Sequence, residues 1–429
     1  MDIKHNLPKT SSSKLTRNLM LSKYRVLDLS NEQGDLCGKI LADLGADVVK
    51  VEPLEGAFSR KVTPFAHDTA TRENSLHWLA YSSGKRSITL DIAHPEGRNI
   101  FLQLLSQADF LIESYSPGHM EKMQLGYSFL RSLNPRLIMI SITPFGQTGP
   151  LGTVSHSDLT GIALGGMMWL TGDADRPPTR ISLPQFYELG SAAAAAGAML
   201  AHYSRRKTGR GQFVDVSCQQ AVARTLAQAP ATWQLTHKNL ERSGPYRDLG
   251  KFKMRINWEC ADGYVNFIVT GGISAAREMK ALSEWMLTKG QKSKVLIETK
   301  WEEVQYGTFT QELLDGLEND LSLFFKTMTK KELFEGSIER KIMLFPVNTM
   351  ADLTTYEQLS ARQYFHTVYH PQIDDTVTLP GPFLKASGKV LRSPRPAPTL
   401  GQHNKDIYID ELHYTLKQFS QLRKERVIG

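Results

Sequence analysis

Residues Pro178 to Ser217 read PTRISLPQFYELGSAAAAAGAMLAHYSRRKTGRGQFVDVS. A Pro-punctuated extended segment runs into a small-residue helix expected from about Glu188 to Tyr203. The chain then turns through Thr208-Gly209-Arg210-Gly211 and leaves as an alternating strand, Gln212 to Ser217. Ala192 to Ala196, Gly197, Ala198 and Ala201 leave one side of the helix almost without bulk, so another backbone can approach closely. Phe186, Tyr187 and Glu188 precede it, where free N–H groups and the helix dipole favour an anion. An ordinary Ala-rich core helix followed by a Gly turn accounts for the same spacing.

Working outward, the pieces alternate. Tyr24 to Leu29 (YRVLDL) reads as a strand, Gly34 to Ala46 as a helix and Asp47 to Glu52 (DVVKVE) as a strand. Lys85 to Ile92 is another strand, with a helix opening near His94-Pro95-Glu96. Asp109 to Glu113, a helical Gly118 to Leu133 and the buried strand Leu137 to Ile142 follow. Such alternation indicates a parallel sheet covered on both faces. No GxGxxG follows the first strand, so weight falls on polar residues at the strands' carboxyl ends: Gln33, Glu52, Ser114, Tyr115 and Pro144 to Gln147. A helix is expected from Gln219 to Leu235, a hairpin around Asp262-Gly263 and amphipathic helices from Ala275 to about Lys341. SPRPAPTLGQHN reads as a linker or surface arm, and Asp406 to Arg426 as a terminal helix.

The 429 residues suffice for two or three domains. The expected division is a flexible N-terminal extension (1–23), a large domain (24–235), a small domain (236–350) and a linker returning to the large domain (351–429). No apolar run approaches the roughly 20 residues of a membrane span. The three scattered cysteines, Cys37, Cys218 and Cys260, signal neither a disulfide framework nor a metal site, and fit a reducing cytoplasm. The net charge of +7 suits an anionic partner such as a CoA thioester, but the basic residues are interspersed. No clustered basic face with aromatics calls for nucleic acid.

Together YRVLDL, ADLGADVVKVEP, GKRSITLD, HPEGR, ADFLIESYSPG, NPRLIMISITPFGQTGP, GGMMWLTGDADRPP, KTGRGQFVDVS, ADGYV and LGQHN, in that order, resemble the class III CoA-transferases. The resemblance spans Tyr24 to about Glu411. It implies a Rossmann-like large domain plus a smaller α+β domain, in a ring-shaped chain that forms an interlocked dimer. It also implies a CoA thioester as substrate, with no tightly bound cofactor and no metal. By position, Gln33, Lys85, Ser114, Tyr115, Lys122 and Met123 look like the CoA-contacting residues, with the two lysines meeting phosphates. Asp158, in its Ser-Asp-Leu context, looks like a supporting carboxylate.

The family's reaction is ping-pong acyl transfer. An Asp at the start of the Ala/Gly helix attacks the thioester, and backbone donors hold the oxyanion. Here that position, counted back from Thr208, holds Tyr187, and a phenol is a poor substitute for a carboxylate. Glu188 lies one residue later, about 100° around the helix. Three readings therefore stand open. One is a catalytically silent subunit paired with an Asp-bearing paralogue, as in the Asp-lacking subunit of succinyl-CoA:benzylsuccinate CoA-transferase, which the stretch Leu183 to Glu188, LPQFYE, resembles. Another is an active homodimer using Glu188. The last is a CoA-binding scaffold without activity.

Overall fold

A computed structural model describes residues 19–305, 308–388 and 390–429. Most of the expected N-terminal extension lies outside these residues. The chain divides into two compact units. One comprises residues up to Met167, Ile181–Pro230 and Glu357–Gly429, and the other Met168–Arg180 and Ala231–Tyr356.

The first unit is built on six parallel strands: β1 (Arg25–Asp28), β2 (Asp47–Glu52), β3 (Arg86–Thr89), β4 (Phe110–Glu113), β5 (Ile138–Thr143) and β6 (Phe213–Ser217). Their order is β3-β2-β1-β4-β5-β6, the doubly wound arrangement of a Rossmann sheet. The middle strands β4 and β5 are buried along their whole length, as strands covered on both faces must be. The edge strand β6 alternates between covered and open positions. The other edge, β3, is closed by the LGQHN stretch. Ser87 N–H donates to His403 Nδ1 at 3.1 Å and Thr89 N–H to Asn404 Oδ1 at 3.0 Å. The expected surface arm is therefore a clamp on a sheet edge that would otherwise expose unpaired backbone groups.

The helices that concern the site are α1 (Asp35–Asp43), α2 (Leu76–Tyr81), α3 (Pro95–Ser106), α4 (His119–Lys122), α5 (Tyr127–Leu133), α6 (Asp158–Leu164), α7 (Phe186–Thr208) and α8 (Cys218–Thr225). The Ala-rich helix α7 is longer than its sequence pattern suggests at both ends. Its first turn forms earlier because Asp158 Oδ1 accepts the Phe186 N–H at 2.9 Å, satisfying one of the free donors. Its last turn persists because Arg205 is buried, donating to the carbonyls of Asp109 (3.0 Å) and Arg136 (2.9 Å). Gly209, at φ +72°, ends it in the left-handed conformation that suits glycine. Ala194 and Ala198 are fully buried, and at Gly190 an added Cβ would lie 2.3 Å from Cys218 Sγ.

Three expected helices are interrupted. Gly118 to Leu133 splits into α4 and α5 around Gln124, whose φ is +55°. The helix expected from Gln219 restarts at Gln228, which puts Pro230 in a first turn, where its missing N–H costs nothing. The C-terminal helix breaks after Glu411 at His413, φ +62°, and Thr415 caps a new one.

The second unit has its own core of Trp258, Phe267, Trp285, Phe324 and Phe325. An antiparallel sheet carries the expected hairpin, Asn257–Cys260 paired with Gly263–Phe267, with Leu344–Pro346 alongside. No helix among the described residues is long and apolar enough to cross a membrane.

Candidate active site

The strand order reverses between β1 and β4, and the loops leaving these two strands meet there. Ser114 Oγ donates to Asn31 Oδ1 and accepts the Asn31 N–H, both at 2.9 Å. Gln33, in the same β1 loop, is tied to α7 through its carbonyl, which accepts Ser191 Oγ at 2.7 Å. Its side-chain amide donates to His156 Nε2 at 2.7 Å, which makes that nitrogen an acceptor. Burial holds the His156 pKa below the usual histidine value, in keeping with that role. Gln33 Oε1 is buried with no hydrogen-bond partner among the described residues.

Tyr187 stands on the first turn of α7 beside this pair. Its ring lies edge-on to His156 at 6.3 Å between centroids and 5.7 Å from Phe186. Burial, reinforced by Glu32 and Asp158, pushes its phenol well above the ordinary value, so it stays protonated. Glu188 faces elsewhere. Its carboxyl lies near the hydroxyl of Tyr81 on α2 and feels the charge of His77, and both favour its ionised form. Burial raises its pKa to about 7 against the pull of both neighbours, and Oε2 has no hydrogen-bond partner among the described residues.

Beneath Glu188 lies a buried ion cluster. Lys50 Nζ is 2.7 Å from Asp35 Oδ1 and 3.2 Å from Asp28 Oδ1, and Lys85 Nζ is 2.9 Å from Asp28 Oδ2. His77 Nε2 approaches Asp35 at 3.2 Å. Burial alone would neutralise the carboxyls. Lys50 and Lys85 overcome it and hold both Asp28 and Asp35 below the ordinary carboxylate range. Lys85 is the expected CoA contact whose placement departs most from expectation. Its side chain is 0% exposed, and it donates inward to Asp28 and to the Asp35 carbonyl at 3.0 Å. An ammonium so enclosed meets carboxylates rather than a phosphate. Lys122, by contrast, is exposed at the end of α4.

A cavity of about 450 Å³ opens at the carboxyl ends of β1 to β3, lined by Leu29, Val51, Leu90, Tyr115, Met123 and Arg426 among others. Tyr115 stacks against His119 at 4.7 Å, and burial pushes its phenol up to about 12. The six expected CoA contacts thus fall into four settings. Tyr115 and Met123 share this cavity, Gln33 and Ser114 belong to the neighbouring β1/β4 junction, and Lys85 is enclosed while Lys122 is open. Glu52, weighted as a strand-end polar residue, accepts Arg60 at 2.6 Å, and Arg60 stacks on Trp78. Sequence reasoning did not reach Tyr81 and His77, which sit on a six-residue helix with no motif of its own. Lys50 carried a signal in retrospect, as a charge inside a strand that must be buried on both faces. No grouping of three His, Cys, Asp or Glu side chains suited to a metal occurs among the described residues.

This is a Rossmann-type sheet with a ligand cavity at its carboxyl edge and a helix N-terminus aimed at the point where the strand order reverses. A crystal structure of a CaiB/BaiF family protein from Brucella suis has a similar fold, with a TM-score of 0.78 and 26% identity over 92% of this chain and 100% of that one. The family model for CoA-transferase family III matches residues 21–404. The chain is 34% identical to the succinyl-CoA:(R)-benzylsuccinate CoA-transferase subunit BbsE of Thauera aromatica, over 91% of this chain and 93% of that protein. It is 30% identical to the succinyl-CoA–D-citramalate CoA-transferase of Chloroflexus aurantiacus, over 95% and 98%. The chain belongs to CoA-transferase family III. It is a CoA-transferase component, and CoA thioesters are its substrates rather than resident cofactors.

Proposed function

We propose that this chain is the non-catalytic subunit of a heteromeric class III CoA-transferase. It would pair, as an interlocked ring, with a paralogous subunit whose corresponding helix begins with Asp. The observation that carries this reading is the divergence of Tyr187 and Glu188. A protonated phenol occupies the place beside Gln33 and His156, while the adjacent carboxyl is drawn to Tyr81 and His77. A phenyl ester would not exchange with CoA as an anhydride does, because its formation discards the reactivity the second step needs. In the partner, the Asp carboxylate would attack the acyl carbonyl and expel CoA thiolate. The thiolate would then displace the carboxylic acid and leave an aspartyl thioester, from which the acceptor carboxylate takes CoA.

Succinyl-CoA as donor and an aryl- or alkylsuccinate as acceptor are motivated by the Thauera relative, itself named as a subunit acting on benzylsuccinate. In this chain Gln33, Ser114, Tyr115, Lys122 and Met123 would contact CoA, and Asp158 would keep the start of α7 in place through Phe186. A second reading draws on one specific feature, Glu188 Oε2, which has no hydrogen-bond partner among the described residues, and the raised pKa of about 7. In that reading Glu188 is itself the nucleophile of a homodimer. Intact-mass spectrometry of the chain with succinyl-CoA, with and without a hydroxylamine quench, separates them. The silent subunit stays unlabelled alone, and transfer appears on adding the Asp-bearing partner. An acyl adduct mapped to Glu188 overturns it.

A further inference from the structure

The first unit has a second cavity, of about 610 Å³, at the amino ends of β2 and β3, away from the carboxyl edge where CoA is placed. Arg86, Gln372, Arg392, Arg395, Gln402 and His403 line it. Its charge is unbalanced. Arg25 and Arg86 share two carboxylates: Asp47 takes Arg25 at 2.8 Å and Arg86 at 2.6 Å, and Glu411 takes them at 2.8 and 2.6 Å. Two cations and two anions cancel. Of the other nearby acids, Asp43 is paired with Lys39 at 2.5 Å and the exposed Asp406 acts on His403, one anion against the two guanidinium groups described next.

Arg392 and Arg395 remain without a carboxylate in ion-pair range among the described residues. Arg392 is held in place by the carbonyls of Gly84 (3.2 Å) and Gly45 (2.9 Å), yet its Nε is buried with no acceptor among the described residues. Arg395 is exposed, and its carbonyl accepts Ser83 Oγ at 2.6 Å, which anchors its backbone. His403 adds a directed donor. Its Nδ1 accepts the Ser87 N–H, so the ring proton sits on Nε2, for which no acceptor occurs among the described residues.

We infer that this amino-edge cavity is a second anion-binding site, separate from the CoA cavity, and that it takes a phosphate-bearing small molecule. Two guanidinium groups and an imidazole N–H around one cavity match the several acceptor oxygens of a diphosphate better than a single carboxylate. The volume is that of an ordinary small-ligand site. The site does not depend on which subunit carries the nucleophile.

The test is calorimetric titration of the full chain with inorganic pyrophosphate, in the presence of saturating CoA, for the native protein and Arg395→Gln. Arg395 is exposed, so its replacement leaves the fold intact, which circular dichroism verifies. Saturable pyrophosphate binding that survives CoA and weakens about tenfold or more in Arg395→Gln is expected. Displacement by CoA would assign the anion to the carboxyl-edge cavity and overturn the inference. So would absence of saturable binding, or equal affinity in the variant. Succinate, titrated in parallel, is expected to bind at least tenfold more weakly, and binding as tight as that of pyrophosphate would overturn the phosphate assignment.

Discussion

The hydroxyl of Tyr81, on the short helix α2, lies close enough to the carboxyl of Glu188, on the first turn of α7, to favour its ionised form. Burial outweighs that effect and lifts the Glu188 pKa to about 7.

Stability should therefore depend on pH through Glu188. Its folded-state pKa lies above the unfolded value, so ionisation opposes folding. The penalty is absent below about pH 4.5 and develops as pH rises through about 7. Glu188→Gln keeps an acceptor for Tyr81 and removes the charge. It should match the native protein near pH 4 and exceed it above about pH 8 by on the order of 2–3 kcal/mol, read from urea unfolding at both pH values. Glu113, which burial also raises to about 7, adds a parallel slope to both proteins and cancels in the difference. Equal stability of the two proteins at high pH would remove Glu188 from this role.

If the chain is the silent subunit proposed above, Tyr187→Asp should give it a nucleophile. The substituted carboxylate would stand beside Gln33 and His156, on the turn whose Phe186 N–H is held by Asp158. Incubation with succinyl-CoA should give a hydroxylamine-sensitive adduct mapped to residue 187, at least tenfold above the unsubstituted chain. A variant that folds, binds CoA and remains unlabelled would show that more than the nucleophile has been lost.

Two lysines carried over from the same family pattern should behave in opposite ways. Lys85→Met leaves Asp28 and Asp35 short of a counter-charge in a closed interior, and breaking a buried pair in this way costs about 3–5 kcal/mol. Lys122→Met, on an exposed helix end, should change stability by less than about 0.5 kcal/mol. If Lys122 meets a CoA phosphate, its loss weakens CoA binding by about three- to tenfold. Chemical denaturation and CoA titration of both variants check the pair. A stable Lys85→Met protein with weakened CoA binding would reverse the assignment.

What could be read in the chain follows from how local each signal is. The alternation of β1 to β5 with helices, and the Ala-rich run of α7, are written in short-range periodicity. They indicate a parallel sheet covered on both faces, and the family resemblance adds its Rossmann-like order. The helix ends were less legible because distant partners set them: Asp158 for Phe186, and the carbonyls of Asp109 and Arg136 for Arg205. The same limit governs the site. Tyr187 could be placed by counting from Thr208, but the direction of Glu188 depends on Tyr81 and His77, more than 100 residues earlier. The resemblance implies a CoA contact at Lys85, but its burial against Asp28 comes from strand pairing that sequence spacing does not reveal. Likewise the LGQHN stretch looked like a polar arm, because a clamp on β3 forms only when the end of the chain returns to the sheet.

The packing of Gly190 on α7 against Cys218 on α8 supplies a test that does not depend on chemistry. A Cβ on Gly190 would sit 2.3 Å from Cys218 Sγ and 3.1 Å from its Cβ, and both residues lie in a fully packed interior. Gly190→Ala gains helix propensity of about 1 kcal/mol, but the overlap must displace α7 or the Cys218 rotamer, typically at about 1–3 kcal/mol. The clash should win, leaving a net loss of about 1–2 kcal/mol. Cys218→Ala alone opens a small void and costs about 1 kcal/mol. The double variant should be more stable than the sum of the two losses, because removing Sγ makes room for the new methyl. A coupling of at least about 0.5 kcal/mol in the double-mutant cycle is the expected sign of direct contact. Strict additivity would mean that α7 and α8 are not pressed together at this point.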